Sequence, residues 1–306
     1  MNPSSTMKAV VLLIICTFFW GSCFPIGKHA LNEVHALTLV FWRFTIAAVC
    51  LALYILVIGA ERFALTVRQW IWVVAVSAVG VGGLNLGLFT GLEHTAATNG
   101  SLIMALSPLT TALMACVAMR TLPTRLQCLS LVVSLSGVLV VITNGHLDAL
   151  LNMQFNQGDK MIFCGMLAWS FYTYCSQGIS RWMPVIPYTF VGMLSGATVI
   201  GLMCLATPEV HPFAELFSSS AIGMTEVVYI GVFGTVAGYL LWLNGVRELG
   251  SPTAALFFNF VPVFAVLTAY MMGQAVTLLQ LAGIAIVILG LLLPRVPVFR
   301  KSSPVV

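Results

Sequence analysis

Apolar runs, each long enough to cross a bilayer as a helix, follow one another along this chain. They centre on residues 7–27, 37–58, 70–92, 98–119 and 126–142, and then on 161–180, 188–206, 224–246, 253–272 and 278–294. Each holds roughly 17 to 25 residues, the helical length that matches about 30 Å of hydrocarbon. Of the 306 residues 60% are hydrophobic and only 7% are charged, too few charges to coat a water-soluble domain. Backbone polar groups in lipid must be satisfied inside helices or a closed barrel, and continuous apolar runs lack the alternation of a barrel. The expected fold is therefore all-α: an integral membrane protein of ten transmembrane helices.

Charge sets the expected orientation. With the N-terminus in the cytoplasm, the cytoplasmic connectors carry Lys8, Arg62, Arg68, Arg120, Arg125, Arg181, Arg247, Arg295, Arg300 and Lys301, whereas the opposite side carries only Lys28 and Lys160. This asymmetry predicts both termini in the cytoplasm. The acidic Glu33, Glu93, Asp148, Asp159, Glu209 and Glu215 fall mostly outside but weigh little in the rule. The basic residues are scattered singly, so the formal charge of +4 does not point to nucleic acid. The eight cysteines lie in or beside the apolar runs without metal-ligand spacing, which argues against a disulfide framework. The first run is read as a retained span rather than a cleaved leader, because its Trp20 has a counterpart later in the chain.

That counterpart belongs to an internal repeat. Trp20 in the first run answers to Trp169 in the sixth. Gly80, Gly91, Leu102, Pro108, Leu113 and Ala115 match Gly234, Gly245, Leu256, Pro262, Leu267 and Ala269 at one constant offset, and Thr124, Gln127 and Gly137 then match Thr277, Gln280 and Gly290. An odd number of spans per half makes the second half enter the membrane from the opposite side, so the repeats are inverted, a recurrent transporter design. The predicted organisation is a first five-helix repeat over residues 1–145, a polar outer connector over 146–158 with Asn152, Gln154 and Asn156, and a second repeat over 159–306.

The segments FFWGSCFPIGKHAL, WRFTIAA, SLIMALSPLTTALMA, LAWSFYTYCSQ, YIGVFGTVAGYLLWLNGVRELG and TAALFFNFVPVFAVLTAYMMG, taken in order, resemble the EamA-type branch of the drug/metabolite transporter superfamily over nearly the whole chain. The resemblance implies ten helices in two repeats and small-molecule transport across a bacterial inner membrane, commonly of amino acids or other metabolites and often outward. Where that family usually carries a Gly-Glu pair after spans four and nine, this chain reads Met119-Arg120-Thr121 and Met272-Gly273-Gln274.

Arg43, inside the second run, is the foremost candidate for chemistry, because an intramembrane Arg costs roughly 2.5–3.5 kcal/mol on insertion scales. It is suited to an anionic substrate group or to anchoring a helix end. Asn85 and Asn259 are candidate hydrogen-bonding groups, with Tyr239 at the position matching Asn85, and the same groups can glue helices. Trp20, Phe24, Trp42, Trp169, Tyr172, Tyr239 and Trp242 are candidates for an apolar pocket wall, foremost Trp20, Trp169 and Tyr239. Pro108 and Pro262 are candidate kinks or gates, and Glu226 is the candidate for proton coupling or for the outer interface at a helix start. His29, Glu33 and His35 lack the spacing of a metal site, and no nucleotide-binding, metal or cofactor motif is present.

The sequence thus reads as a secondary transporter, an exporter of small organic metabolites such as amino acids, working by alternating access as a functional monomer. The alternatives are a multidrug or lipophilic-solute exporter, which needs a membrane-embedded acid that the first five spans lack, and a scaffold or intramembrane enzyme, for which no partner-binding segment or nucleophile–base pair is seen.

Overall fold

A computed structural model of the chain describes residues 3–59, 61–92, 94–95, 100, 103–146 and 156–293. Glu93, Leu102, Asp148, Asn152, Gln154, Arg295, Arg300 and Lys301 lie outside these residues. The described residues are helical, with no strand among them. In chain order the helices are α1 (Pro3–Ala30), α2 (Ala36–Ile58), α3 (Val67–Ser77), α4 (Leu84–Leu92), α5 (Ser107–Met119), α6 (Arg125–Thr143) and α7 (Gln157–Ile179). There follow α8 (Val185–Ala206), α9 (Pro212–Ser218), α10 (Ala221–Tyr229), α11 (Gly238–Leu249), α12 (Ser251–Phe257), α13 (Phe260–Met271) and α14 (Leu278–Leu292). Two π-helical segments, Ala78–Gly83 and Ile230–Ala237, join α3 to α4 and α10 to α11 without a break in the rod.

Seven helices among the described residues are long and apolar enough to cross a membrane: Thr6–Ala30, Ala36–Ile58, Val67–Leu88, Arg125–Thr143, Val185–Ala206, Ala221–Leu249 and Ser251–Met271. The other apolar runs give shorter or more polar helices. Ser107–Met119 starts only after a turn at Ala105–Leu106, and Leu278–Leu292 is likewise short. Gln157–Ile179 is 23 residues long but carries Asp159, Lys160, Ser170, Thr173, Ser176 and Gln177, which dilute its hydropathy.

Alongside an apolar core, large apolar side chains face outward and hydroxyl groups face inward. Leu56, Val57, Leu205 and Leu278 are exposed, whereas Thr17, Ser77, Ser130, Ser134, Thr173, Thr189 and Thr235 are buried. Lipid is as apolar as a leucine side chain, so the interior is joined by close packing and hydrogen bonds while apolar side chains face outward. Ser and Thr hydroxyls mostly return to the preceding turn, as Thr17 does to Leu13 O at 3.0 Å and Thr189 to Val185 O at 2.7 Å.

The two parts of the chain are interleaved. The first helix α1 packs along α11 and α13, and α7 packs along α4 and α5; α2 packs against α8, and α6 pairs with α14. The main apolar core draws on both parts, with Leu13, Trp20, Phe44 and Val76 beside Tyr172, Ile200, Ile230 and Trp242.

Candidate functional site

At the middle of the bundle Trp20 of α1, Trp169 of α7 and Trp242 of α11 form a triangle of indoles, with ring centroids 5.4 Å (Trp20–Trp169), 5.1 Å (Trp20–Trp242) and 5.7 Å (Trp169–Trp242) apart. Tyr239 stands edge-on to Trp20 at 5.9 Å and to Trp169 at 5.8 Å. Phe258, in the turn between α12 and α13, closes on Trp20 at 5.8 Å. Tyr172 stacks on Trp169 at 5.7 Å and on Tyr188 at 5.8 Å. Such edge-to-face and offset contacts each contribute about 0.5–1.5 kcal/mol beyond area burial.

The rings reach one another because small residues face them. A Cβ on Gly238 would sit 2.5 Å from Trp20 Nε1, and one on Gly234 would sit 2.3 Å from Cys23 Sγ. Trp20 Nε1 accordingly donates to Gly234 O at 2.8 Å. The other two indoles differ: Trp169 Nε1 and Trp242 Nε1 are buried with no hydrogen-bond partner among the described residues. An unpaired buried donor costs about 1–3 kcal/mol, a cost that the close packing of the rings offsets here.

Arg43 of α2 lies half-buried beside this cluster. Its Nε donates to Thr235 Oγ1 at 3.1 Å, and its guanidinium carbon lies 5.3 Å from the centroid of the Phe44 ring. Among the described residues no carboxylate pairs with it; the ion pair that is present joins His29 to Glu226. Thr235 is fully buried in the π segment, where its hydroxyl donates to Ile230 O at 2.9 Å, five residues back.

The remaining sequence candidates separate. Asn85 is buried and donates to Val81 O at 2.8 Å, one turn back at the exit of the first π segment. Asn259 lies in a second cluster, where its amide donates to Ser134 Oγ of α6 at 2.8 Å and its Oδ1 has no partner among the described residues. Pro108 enters α5 just after the turn at Ala105–Leu106, and Pro262 enters α13 just after the turn at Phe258–Asn259. Ser107 O, at the first of these interruptions, accepts from Ser170 Oγ at 3.3 Å, while that hydroxyl also meets Thr110 Oγ1 at 2.5 Å. Phe24 is 56% exposed, and Trp42 donates to Pro212 O at 2.8 Å, so these two aromatics stand apart from the ring cluster.

Glu226 faces the end of the bundle where α1 stops. There His29 Nδ1 lies 2.8 Å from its carboxylate. Glu33 accepts from Ser220 N at 2.6 Å and Ser220 Oγ at 2.8 Å, and these two donors hold its exposed carboxyl below the ordinary glutamate range. Glu215 accepts from His35 N at 2.8 Å and His211 N at 2.9 Å. Thr277 and Asn144 add a further contact, as does Thr95 Oγ1, which donates to Asp159 at 2.6 Å. At the opposite end no hydrogen bond or ion pair among the described residues joins connectors 61–66 and 120–124 to connector 180–184 or Gly250. An apolar groove of about 630 Å³ runs from this end along α8 as far as Thr198, between Ile55, Phe63, Trp70 and Val74 on one side and Met183, Pro187, Phe190 and Val191 on the other, and another of about 670 Å³ lies at the laced end between Phe41 and Gly201, Leu205, Val210 and Pro212.

Thr235, Tyr188, Phe258 and the Glu33–Ser220 contact were not singled out in the sequence. Thr235 carried one signal, a hydroxyl beside the repeat-matched Gly234 in an otherwise apolar stretch.

An apolar-surfaced helical bundle of this kind is that of a multi-pass membrane protein. The EamA-like transporter family model matches residues 7–143 and again residues 156–294, so this chain belongs to the EamA-like transporter family. The uncharacterized transporter YyaM of Bacillus subtilis (strain 168) is 30% identical over 288 residues, 94% of this chain and 93% of that protein. A probable terminal-alkyne amino-acid exporter of Streptantibioticus cattleyicolor is 25% identical over 290 residues, 94% of this chain and 93% of that protein. A protein of known crystal structure superposes with a TM-score of 0.79 at 17% identity, covering 97% of this chain and 99% of that one, a likeness of fold. The protein is a membrane transporter and not an enzyme.

Proposed function

We propose that the protein is a secondary transporter that exports small organic metabolites, amino acids foremost, from the bacterial cytoplasm by alternating access. In this reading ten spans form two inverted five-helix repeats with both termini in the cytoplasm. The observation that carries it is the contrast between the two ends of the bundle. One end is laced across the two halves by His29–Glu226, Glu33–Ser220 and His35–Glu215, while among the described residues no such contact joins the connectors of the two halves at the other. A site between such ends is what alternating access requires.

Further features support the same reading. The π segments Ala78–Gly83 and Ile230–Ala237 occupy repeat-matched positions, as do the helix interruptions ahead of Pro108 and Pro262. Interrupted or non-α helices near the membrane midplane are where transporters free backbone groups for ligands. Arg43, without a carboxylate partner among the described residues, favours an anionic or zwitterionic solute over the lipophilic cations of a multidrug exporter. The similarity to a probable amino-acid exporter agrees with that class. Glu226, paired with His29 near the laced end, is better suited to a closing contact than to a proton site beside the rings.

Counterflow in proteoliposomes holding the purified protein, with labelled amino acids, amines, sugars, organic anions and nucleosides, tests the proposal. Exchange of amino acids is expected. Exchange confined to lipophilic amines would overturn the substrate class, and silence beside a working control carrier would overturn transport of these solutes altogether.

A further inference from the structure

We infer that Thr235 is a positioning residue for the solute: it holds Arg43 by Nε so that the two terminal guanidinium nitrogens are presented to a carboxylate. The inference rests on the reading of Arg43 as the solute's anionic anchor. It begins with the register of the π segment. Thr235 Oγ1 donates to Ile230 O at 2.9 Å, and a bond to the carbonyl five residues back suits the wider π turn, not the tighter α turn. A threonine hydroxyl has one proton, and here it is committed to Ile230 O. Its lone pair is therefore the group offered to Arg43, whose Nε donates at 3.1 Å.

The consequence lies in what remains. A guanidinium has five N–H donors in a plane, and one is spent on Thr235. The terminal nitrogens make no hydrogen bond or ion pair among the described residues. With Nε taken, a bidentate acceptor must use the edge formed by the two terminal nitrogens, which matches the two oxygens of a carboxylate. No second cation is paired into this place among the described residues, which suits a single negative charge better than a phosphate dianion.

The neighbourhood extends the match. Tyr239 lies one turn beyond Thr235 on the same rod, and Cys23 lies against Gly234. Tyr239 in turn touches Trp20 and Trp169 at 5.9 and 5.8 Å, so the anchor adjoins an apolar wall with unpaired indole N–H groups. The class of solute that satisfies both is a monocarboxylate with an apolar body, including a zwitterionic amino acid with an aliphatic side chain.

The test compares wild type with Thr235→Val, which removes the hydroxyl at nearly constant shape, and Thr235→Ser, which keeps it. Binding to the purified full-length protein is measured by calorimetry with three probes of one skeleton: L-leucine, leucinamide and isopentylamine. Wild type is expected to bind leucine about tenfold or more tightly than leucinamide, the scale of one charge-assisted contact. In Thr235→Val that ratio is expected to fall toward unity while the affinity for isopentylamine stays put, and Thr235→Ser restores the ratio. A Val variant that weakens all three probes equally, or keeps the ratio, would overturn the positioning role while leaving Arg43 as anchor. A wild type that favours isopentylamine would instead overturn the anionic-anchor reading, and this inference with it. If Thr235→Val does not fold, Thr235→Ala with the same three probes decides between these outcomes.

Discussion

At the scale of single residues, this interior is governed by how closely backbones approach. Gly91 of α4 lies against α7 so tightly that an added Cβ would stand 2.5 Å from Ile162 Cγ1 and 2.7 Å from Gly158 O. One obstacle is backbone, so a small side-chain rotation cannot absorb the clash. Gly91→Ala is expected to cost about 1–3 kcal/mol by overpacking, read as a lowered Tm of the detergent-purified protein. Gly178, near the end of the same α7, has nothing within 4 Å of its added Cβ. Gly178→Ala should leave Tm unchanged or slightly raised, since it also removes a flexible helix residue. Equal losses at the two sites would show that helix propensity, not interhelical contact, sets the effect.

At the scale of elements, the informative structures are the two π segments. A π turn holds one residue more than an α turn, so removing one residue is the natural way to restore α geometry. Deleting Val232 from Ile230–Ala237 is expected to rotate Thr235 by about 100° relative to the preceding turns, taking its hydroxyl from both Ile230 O and Arg43 Nε. Counterflow should be lost while membrane insertion and folded yield persist. Retained exchange in that deletion would mean that the π register has no part in the site. The interruptions before Pro108 and Pro262 act differently, because there the rod itself breaks and the turn at Phe258–Asn259 delivers a ring to one cluster and an amide to another.

At the scale of the molecule, the two ends are unequal, and the contacts at the laced end are one ion pair, His29–Glu226, and hydrogen bonds to the carboxylates of Glu33 and Glu215 near the surface. Such contacts are individually weak, so their removal should shift a conformational balance and not unfold the protein. Glu33→Gln combined with Glu226→Gln is expected to speed amide hydrogen exchange in Gly223–Tyr229, beside the contacts, and to leave the connector at 180–184 unaffected. The dependence on pH has a definite sign. The Glu33 carboxyl is depressed below its ordinary value of 4.5 by the two Ser220 donors. Its contribution to the closed end is therefore fully present above that value and lost as pH falls through the lower one. Exchange in the same segment should rise in acid in the wild type, and Glu33→Gln should blunt the rise. Uniform exchange across both ends at low pH would indicate general loosening instead.

The sequence alone carried the choice of solvent, because runs of apolar residues with few charges have no other stable environment, and helicity followed since lipid satisfies no backbone group. It also carried Trp20, Trp169, Tyr239 and Arg43 as residues of interest, through repeat position and the cost of a charge in hydrocarbon. Which of them meet was another matter. Asn85 and Asn259 looked alike as polar groups in apolar runs, yet one bonds back to its own helix and the other bridges to Ser134. Trp42 looked like Trp20 but serves the laced end. Hydropathy reports that a side chain is in the membrane, not which helix lies opposite it. The partner of Arg43, the unpaired indoles and the difference between the ends come from distances across residues as far apart as 43 and 235, and only the packing of the two halves fixes those.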